Sequence, residues 1–332
     1  MIRYGILGFG HHAAKRLVPA FAAAKESTLT GLWRRDLVKG RANAEQFGIA
    51  HAFDTAEALC ASPDIDAVFV ASPDALHLQD VLLALKHGKA VLCEKPLAMN
   101  SAEVQTMLDA QGKAGLAFGV AQNMRYYESL HVMRQWIAEG RIGAPLLGHS
   151  QFCYNAEGSP RQWIYDPTLA LGGPIGDVAI HCIDALRFVL DSRVNAVNTM
   201  ARADERSAPL EAYAAIGLDF AGGAMGAVTV STRGLYRSLI EVTGESGTIG
   251  SEYGLTVDND VDVVLWRAGR ALERKTVSNS DCYSRMLDSF TDWVKGRGEF
   301  RATGADGLHN QRILDAAYAS WRTGMRQPVP GA

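Results

Sequence analysis

Over the first third of the chain, short unbroken apolar runs alternate with segments whose apolar residues recur every three or four positions. The runs Ile2–Leu7, Leu29–Trp33, Asp66–Ala71, Ala90–Cys93 and Ala117–Val120 lack polar alternation, as strands buried on both faces of a parallel sheet do. Between them, Ala13, Ala14, Leu17, Val18 and Phe21 share one helical face. Leu76–His87 reads as another helix closed by Gly88. Asn100–Ala114 reads as a third, with Asn100 and Glu103 at capping-box spacing. Repeated strand–helix alternation specifies an N-terminal α/β domain of the doubly wound Rossmann type, over residues 1–122.

Beyond Gln122 the period changes. Helices are expected at Tyr127–Glu139 and Ile175–Leu190, then strands with polar alternation at Glu211–Phe220, Ala224–Thr232, Leu239–Thr243 and Val261–Trp266. Gly222-Gly223 reads as a hairpin turn between two of them. Tyr283–Gly296 and Gly307–Gly324 read as closing helices. Residues 123–332 therefore read as an α+β domain with a large, mostly antiparallel open sheet, one face under helices and the other available to a partner.

Composition narrows the classes. The chain has 332 residues, 48% hydrophobic and 21% charged, a balance that supports a sizeable core. A formal net charge of −3 gives no field to gather nucleic acid, and neither nucleic acid nor a membrane is expected as a partner. No apolar run reaches the roughly 20 residues of a membrane span, and the N-terminus lacks the sections of a signal peptide, so the expected compartment is the cytoplasm. Cys60, Cys93, Cys153, Cys182 and Cys282 are odd in number and without C-x-x-C, which suggests neither disulfides nor zinc, and no metal is expected.

The first chemical signal is Gly8-Phe9-Gly10-His11-His12-Ala13, a G-x-G-x-x-A spacing that follows a strand and opens a helix. Gly8 permits the turn, Gly10 admits a pyrophosphate to the backbone, and Ala13 lets helix and strand close up. The helix N-terminus then offers free N–H groups to phosphate. His11 and His12 point in different directions on a helix, and read as residues near a phosphate rather than as metal ligands. The second strand ends Trp33-Arg34-Arg35-Asp36, with Lys39 close behind. A guanidinium there binds a ribose 2′-phosphate, so NADP(H) is favoured, with Arg34 the main contact and Arg35 or Lys39 assisting. The alternative is that Asp36 serves the 2′-hydroxyl of NAD.

Three further segments complete a set: Ser72-Pro73-Asp74-Ala75-Leu76-His77, Glu94-Lys95-Pro96, and Gly172-Gly173-Pro174-Ile175-Gly176-Asp177-Val178-Ala179-Ile180-His181. With the glycine turn, they resemble the glucose–fructose oxidoreductase, inositol dehydrogenase and MocA (Gfo/Idh/MocA) family over nearly the whole chain. The resemblance implies that Lys95 binds the reacting oxygen and that Asp177 and His181 contact the substrate. It implies that Ser72, Asp74, His77, Glu94 and Asn123 line the nicotinamide and ribose pocket, and that Lys95–Pro96 is a cis bond. Asn123-Met124-Arg125-Tyr126 is similar to the family's crossover into the second domain, which adds Arg125 to the substrate candidates. Leu171 stands where the family commonly has glycine, and Ile164 where an arginine is frequent.

The residues support the same chemistry by themselves. In an open α/β sheet the ligand crevice lies beyond the C-terminal strand ends, where Gly8–Gly10, Ser72–Asp74 and Lys95 all fall. Pro96 constrains Lys95, whose amine suits a developing alkoxide. Asp177 and His181, four apart after a proline that suits a helix start, share a helical face. An imidazole there can handle the proton that accompanies hydride transfer. Cys182, beside His181, reads as core; Trp163 and Tyr165 read equally as aromatic faces for a sugar or as plain core. The expected activity is hydride exchange at nicotinamide C4 with a sugar, polyol or related carbonyl compound. The alternatives are NAD-dependent inositol or polyol oxidation and a non-catalytic dinucleotide sensor. A homodimer or homotetramer through the C-terminal sheet is expected.

Overall fold

The structure is a computed structural model and describes residues 1–331. The chain divides into two compact units. The first contains residues 1–122, 168–171 and 283–308. Its parallel sheet comprises β1 (Ile2–Leu7), β2 (Ser27–Trp33), β3 (His51–Ala52), β4 (Ala67–Val70), β5 (Ala90–Cys93) and β6 (Phe118–Val120). Their order is β3-β2-β1-β4-β5-β6, the strand order of a dinucleotide fold. Strands β4, β5 and β6 are buried along their full length, which is why their sequences show no alternation.

Two short helices went unread in the sequence, Leu37–Phe47 and Ala56–Ala61. Their apolar faces are small, but both carry N-caps: Asp36 accepts from the Lys39 N–H at 3.0 Å, and Thr55 from Ala58. The helix after the glycine turn begins as a π turn, Ala13–Leu17, before Val18–Ala23. Pro19 follows that turn and lacks the N–H that an α-helical register would require of it.

Residues 283–308 join the first unit although the sequence alone groups them with the second domain. The reason is specific bonding. The Thr291 hydroxyl lies 2.7 Å from the Tyr4 hydroxyl and 2.7 Å from that of Ser27, all buried. Phe300 occupies the space over Gly119, where a Cβ would come within 2.5 Å of its ring.

The second unit contains residues 123–167, 172–282 and 309–331 of the described chain. Its strands are β7 (Pro145–Asn155), β8 (Val194–Arg202), β9 (Tyr213–Phe220), β10 (Met225–Ser231), β11 (Arg233–Arg237), β12 (Ile240–Gly244), β13 (Thr248–Ser251), β14 (Asp260–Arg267), β15 (Arg270–Ser278) and β16 (Gln327–Pro328). They run in the order β15-β14-β13-β12-β7-β10-β9-β8-β16, with β11 added against β7. Every pair is antiparallel except β7 with β10. The Gly222-Gly223 turn joins β9 to β10 as expected. One face of the sheet lies under the helix Ile180–Leu190, and Gly148 of β7 leaves room there for Leu186.

Candidate active site

The glycine turn follows β1. Gly8 has φ +81°, and a Cβ on it would lie 2.4 Å from the Ser72 nitrogen, so the close packing of the turns after β1 and β4 excludes any side chain. Gly10 faces open space, its nearest neighbour being Gly8 O at 3.8 Å. That is a cradle of the kind a pyrophosphate needs. Phe9 is buried against Phe47, so its contribution at the turn is its backbone. His11 is exposed, and His12 Nε2 lies 2.8 Å from Glu94 Oε1. The helix start after β1 is thereby joined to the turn after β5.

At the end of β2, Asp36 is committed. It caps the helix Leu37–Phe47 and pairs with the Lys39 ammonium at 3.2 Å, and these bonds hold its carboxyl below the usual range. Arg34 packs its stem over Gly40 and donates one Nη to Asn43 at 2.8 Å; Arg35 is exposed. Arg34, Arg35 and Lys39 thus stand beside Asp36 just beyond the end of β2.

Several side chains expected against the coenzyme are spent inside the unit. The Ser72 hydroxyl donates to Asp80 at 2.7 Å. Asp74, buried, accepts the Leu171 N–H at 3.0 Å. His77 is 1% exposed, with its two ring nitrogens 2.9 Å from Pro96 O and 2.8 Å from Ser72 O. Lys95 sits on the turn after β5, half-buried, and its peptide bond to Pro96 is cis. Burial pushes the Cys93 thiol far up, in keeping with a packing role.

In the second unit, Pro174 precedes a π turn, Ile175–Ala179, that runs into the helix Ile180–Leu190. Asp177 lies on the wide turn and His181 on the first α turn. Two residues that sequence reasoning missed engage Asp177. Arg161 donates to both carboxylate oxygens, at 3.1 and 3.0 Å, and the Tyr154 hydroxyl donates to Oδ2. Burial, then the Asp177 charge, pushes the Tyr154 hydroxyl up, so it is a donor at any working pH. A further missed residue, Glu211, is buried beneath the glycines and accepts from the Ile175 N–H at 2.8 Å and the Tyr318 hydroxyl at 3.0 Å. A cavity of about 20 Å³, room for one water, lies among Tyr154, Ile164, Asp177, Glu211 and Arg233. Trp163 is half-buried on the 3₁₀ turn Gln162–Tyr165, and the Tyr165 hydroxyl is used on Ala156 O.

The Arg125 guanidinium is buried and donates to Asp184 at 2.9 and 2.7 Å, an ion pair that helps hold the unit's interior. Asn123 is also buried, with its amide 3.3 Å from the Tyr127 hydroxyl. Cys182 is buried and its thiol is pushed up to about 12, as core packing implies. Among the described residues, no three His, Cys, Asp or Glu side chains are grouped to hold a metal ion, and no helix is long and apolar enough to cross a membrane.

A glycine turn on a parallel sheet of this order marks a dinucleotide-binding domain. Residues 2–122 match the family model described as "Oxidoreductase family, NAD-binding Rossmann fold", and residues 130–250 match the "GFO/IDH/MocA C-terminal domain". The chain is 30% identical to the 1,5-anhydro-D-fructose reductase of Ensifer adhaerens, over 93% of this chain and 92% of that one. It is 28% identical to a D-xylose 1-dehydrogenase (NADP(+)) of Haloferax volcanii, over 97% and 98%. The crystal structure of the aldose–aldose oxidoreductase of Caulobacter crescentus superposes with a TM-score of 0.91 at 25% identity, covering 98% of this chain and 99% of that one. The chain belongs to the Gfo/Idh/MocA family of oxidoreductases.

Proposed function

We propose that the protein is an NADP(H)-dependent oxidoreductase that interconverts a carbonyl and a hydroxyl group on a sugar, polyol or related small molecule. The observation that carries this reading is the pairing, within one unit, of an open glycine cradle with a lysine on a neighbouring strand-end turn. The names of the relatives support a sugar as the substrate class. The commitment of Asp36 to a helix cap, with Arg34 beside it, supports NADP(H) over NAD(H).

When bound, the nicotinamide coenzyme supplies or accepts the hydride. The chain does the rest. The Gly8–Gly10 backbone and the helix start at His11 and His12 hold the phosphates, while Arg34 and Arg35 hold the 2′-phosphate. Lys95 binds the substrate oxygen and stabilises the negative charge that develops on it. His181 gives or takes the proton of that oxygen. Asp177, with both oxygens already bonded, orients a substrate hydroxyl and does not move protons. Trp163 offers a flat apolar face to sugar C–H groups.

The test is a panel of sugars, polyols and α-dicarbonyls assayed with both coenzymes. Lys95→Ala and His181→Ala each lower kcat by about 10²–10⁴-fold; undiminished turnover in both variants would overturn the assigned roles. Arg34→Ala raises KM for NADPH far more than KM for NADH, and equal changes would count against the 2′-phosphate reading.

A further inference from the structure

Three of the side chains expected to face the coenzyme are turned inward, and one of them links two of the strand-end turns that matter. His77 begins the helix His77–Lys86, directly after the turn that follows β4. Its Nε2 reaches back 2.8 Å to Ser72 O in that turn. Its Nδ1 reaches 2.9 Å to Pro96 O, one residue past Lys95 in the turn after β5. Carbonyl oxygens only accept, so each contact is a hydrogen bond when the ring nitrogen facing it carries a proton. The other end of the Ser72 residue is pressed against Gly8, whose missing Cβ leaves 2.4 Å to the Ser72 nitrogen. The order of contacts is therefore Gly8, Ser72, His77, Pro96, with Lys95 attached to the last. Asp80, one turn along the same helix and 3% exposed, accepts the Ser72 hydroxyl, and its burial holds its carboxyl above the usual range.

We infer that His77 is a positioning residue for Lys95: a buried imidazole that ties the turns after β4 and β5 together and so fixes the amine relative to the glycine turn. This rests on the reading of Lys95 as the group that binds the reacting oxygen. A side chain of such small exposure makes a poor coenzyme ligand. It makes a good spacer, because both of its bonds go to main chain and neither depends on a mobile partner. Its loss leaves the glycine cradle intact and lets the lysine-bearing turn move. A displacement of about 1 Å at a reacting group is enough to cost about 10²-fold in rate.

The experiment uses the full-length protein in four forms: His77→Phe, which keeps the volume and removes both ring nitrogens; His77→Gln, which keeps an N–H; Lys95→Ala; and the double variant His77→Phe/Lys95→Ala. Three quantities are read. They are kcat on the best sugar of the panel, the NADPH Kd by fluorescence titration, and the rate at which trinitrobenzenesulfonate labels Lys95, with exposed Lys113 as the internal standard. Expected are a kcat about 10²-fold lower in His77→Phe, an NADPH Kd changed by less than about threefold, faster labelling of Lys95 but not of Lys113, and partial recovery in His77→Gln. The double variant is expected to be no slower than Lys95→Ala, because what His77 contributes passes through the lysine. Fully additive losses, or a weakened NADPH Kd with unchanged kcat, would overturn the proposal and make the imidazole an independent group or a coenzyme ligand. Unchanged labelling of Lys95 in both His77 variants overturns it as well, and His77→Gln supplies that reading if His77→Phe does not fold. Full activity in Lys95→Ala refutes instead the assignment of Lys95, while the labelling still reports whether the tie exists.

Discussion

Gly173 and Gly112 have the same side chain and opposite reasons for it. A Cβ on Gly173 would lie 1.9 Å from Glu211 O, and one on its neighbour Gly172 would lie 1.7 Å from the Tyr318 hydroxyl. Gly112 sits in the helix Ser101–Ala114 with nothing within 4 Å of its Cβ position. Gly173→Ala is expected to destabilise the protein by about 1–3 kcal/mol through overpacking. Gly112→Ala is expected to stabilise it by roughly 0.5–1 kcal/mol. Thermal unfolding of the two variants measures both, and a Gly173→Ala protein as stable as the parent would show the turn to be slack. The sequence shows the Gly172-Gly173 pair but not its reason, since the atoms that exclude a side chain there belong to Glu211 and Tyr318, far along the chain. Arg161 was not legible in the sequence. Its meaning depends on Asp177, sixteen positions on, and on Tyr154, which lies in a strand that the hydrophobic pattern did not reveal.

That strand, β7, shows where element-scale reading fails. Its residues Pro145–Asn155 show little alternation, because Gly148 stands at an inward position where Leu186 supplies the bulk, and Leu147 stands at an outward one. β15 failed for a different reason: it is an edge strand, exposed along almost its whole length, and its charges carry no period. The helix Ile180–Leu190 was legible, but its first turn widens into a π turn that no simple period foretells. What anchors this helix is Asp184. Burial pushes its carboxyl up, but the Arg125 charge and hydrogen bonds outweigh that and leave it below the usual range. A carboxyl lowered in the folded state stabilises fully above its unfolded pKa, near 3.9, and that stability is lost as pH falls through the folded value. Asp184→Asn is therefore expected to cost about 3–5 kcal/mol near neutrality, where Arg125 is left buried without its partner. The difference from the parent should shrink as pH drops below about 4. Urea unfolding at pH 7 and pH 3.5 reads both; a loss that stays constant with pH would show that the charge is not what anchors the helix.

At the scale of the molecule, the class of each domain was legible because buried parallel strands and half-exposed antiparallel ones have different periods. The outward face of the second sheet carries Leu147, Met200, Tyr213 and Met225, all exposed. The register puts them on one side: Met225 stands opposite Leu147, and Met200 and Tyr213 alternate with inward residues of β8 and β9. We propose that this face, with its exposed apolar residues, is an interface between chains. The expected outcome is a homodimer or homotetramer by light scattering, with Leu147→Asp/Met225→Asp shifting it toward the single chain. A monomeric parent protein would refute the assembly. The return of residues 283–308 to the first unit was not legible, since an amphipathic helix announces that it has a buried face and not which partner covers it.

The backbone passes between the two units after residues 122, 167, 171, 282 and 308. A thread laced in this way cannot be cut once into two finished pieces. A fragment ending at Gln122 lacks the hydroxyl that joins Tyr4 to Ser27 and the ring that roofs Gly119. On a ribosome, which releases the N-terminus first, the dinucleotide unit is the earlier to emerge, yet it is completed only when residues 283–308 have been made, just ahead of the other unit's last segment. It must wait for almost the whole of the other unit to be made before its last helix arrives, so the nascent chain spends most of its synthesis with its coenzyme half unclosed.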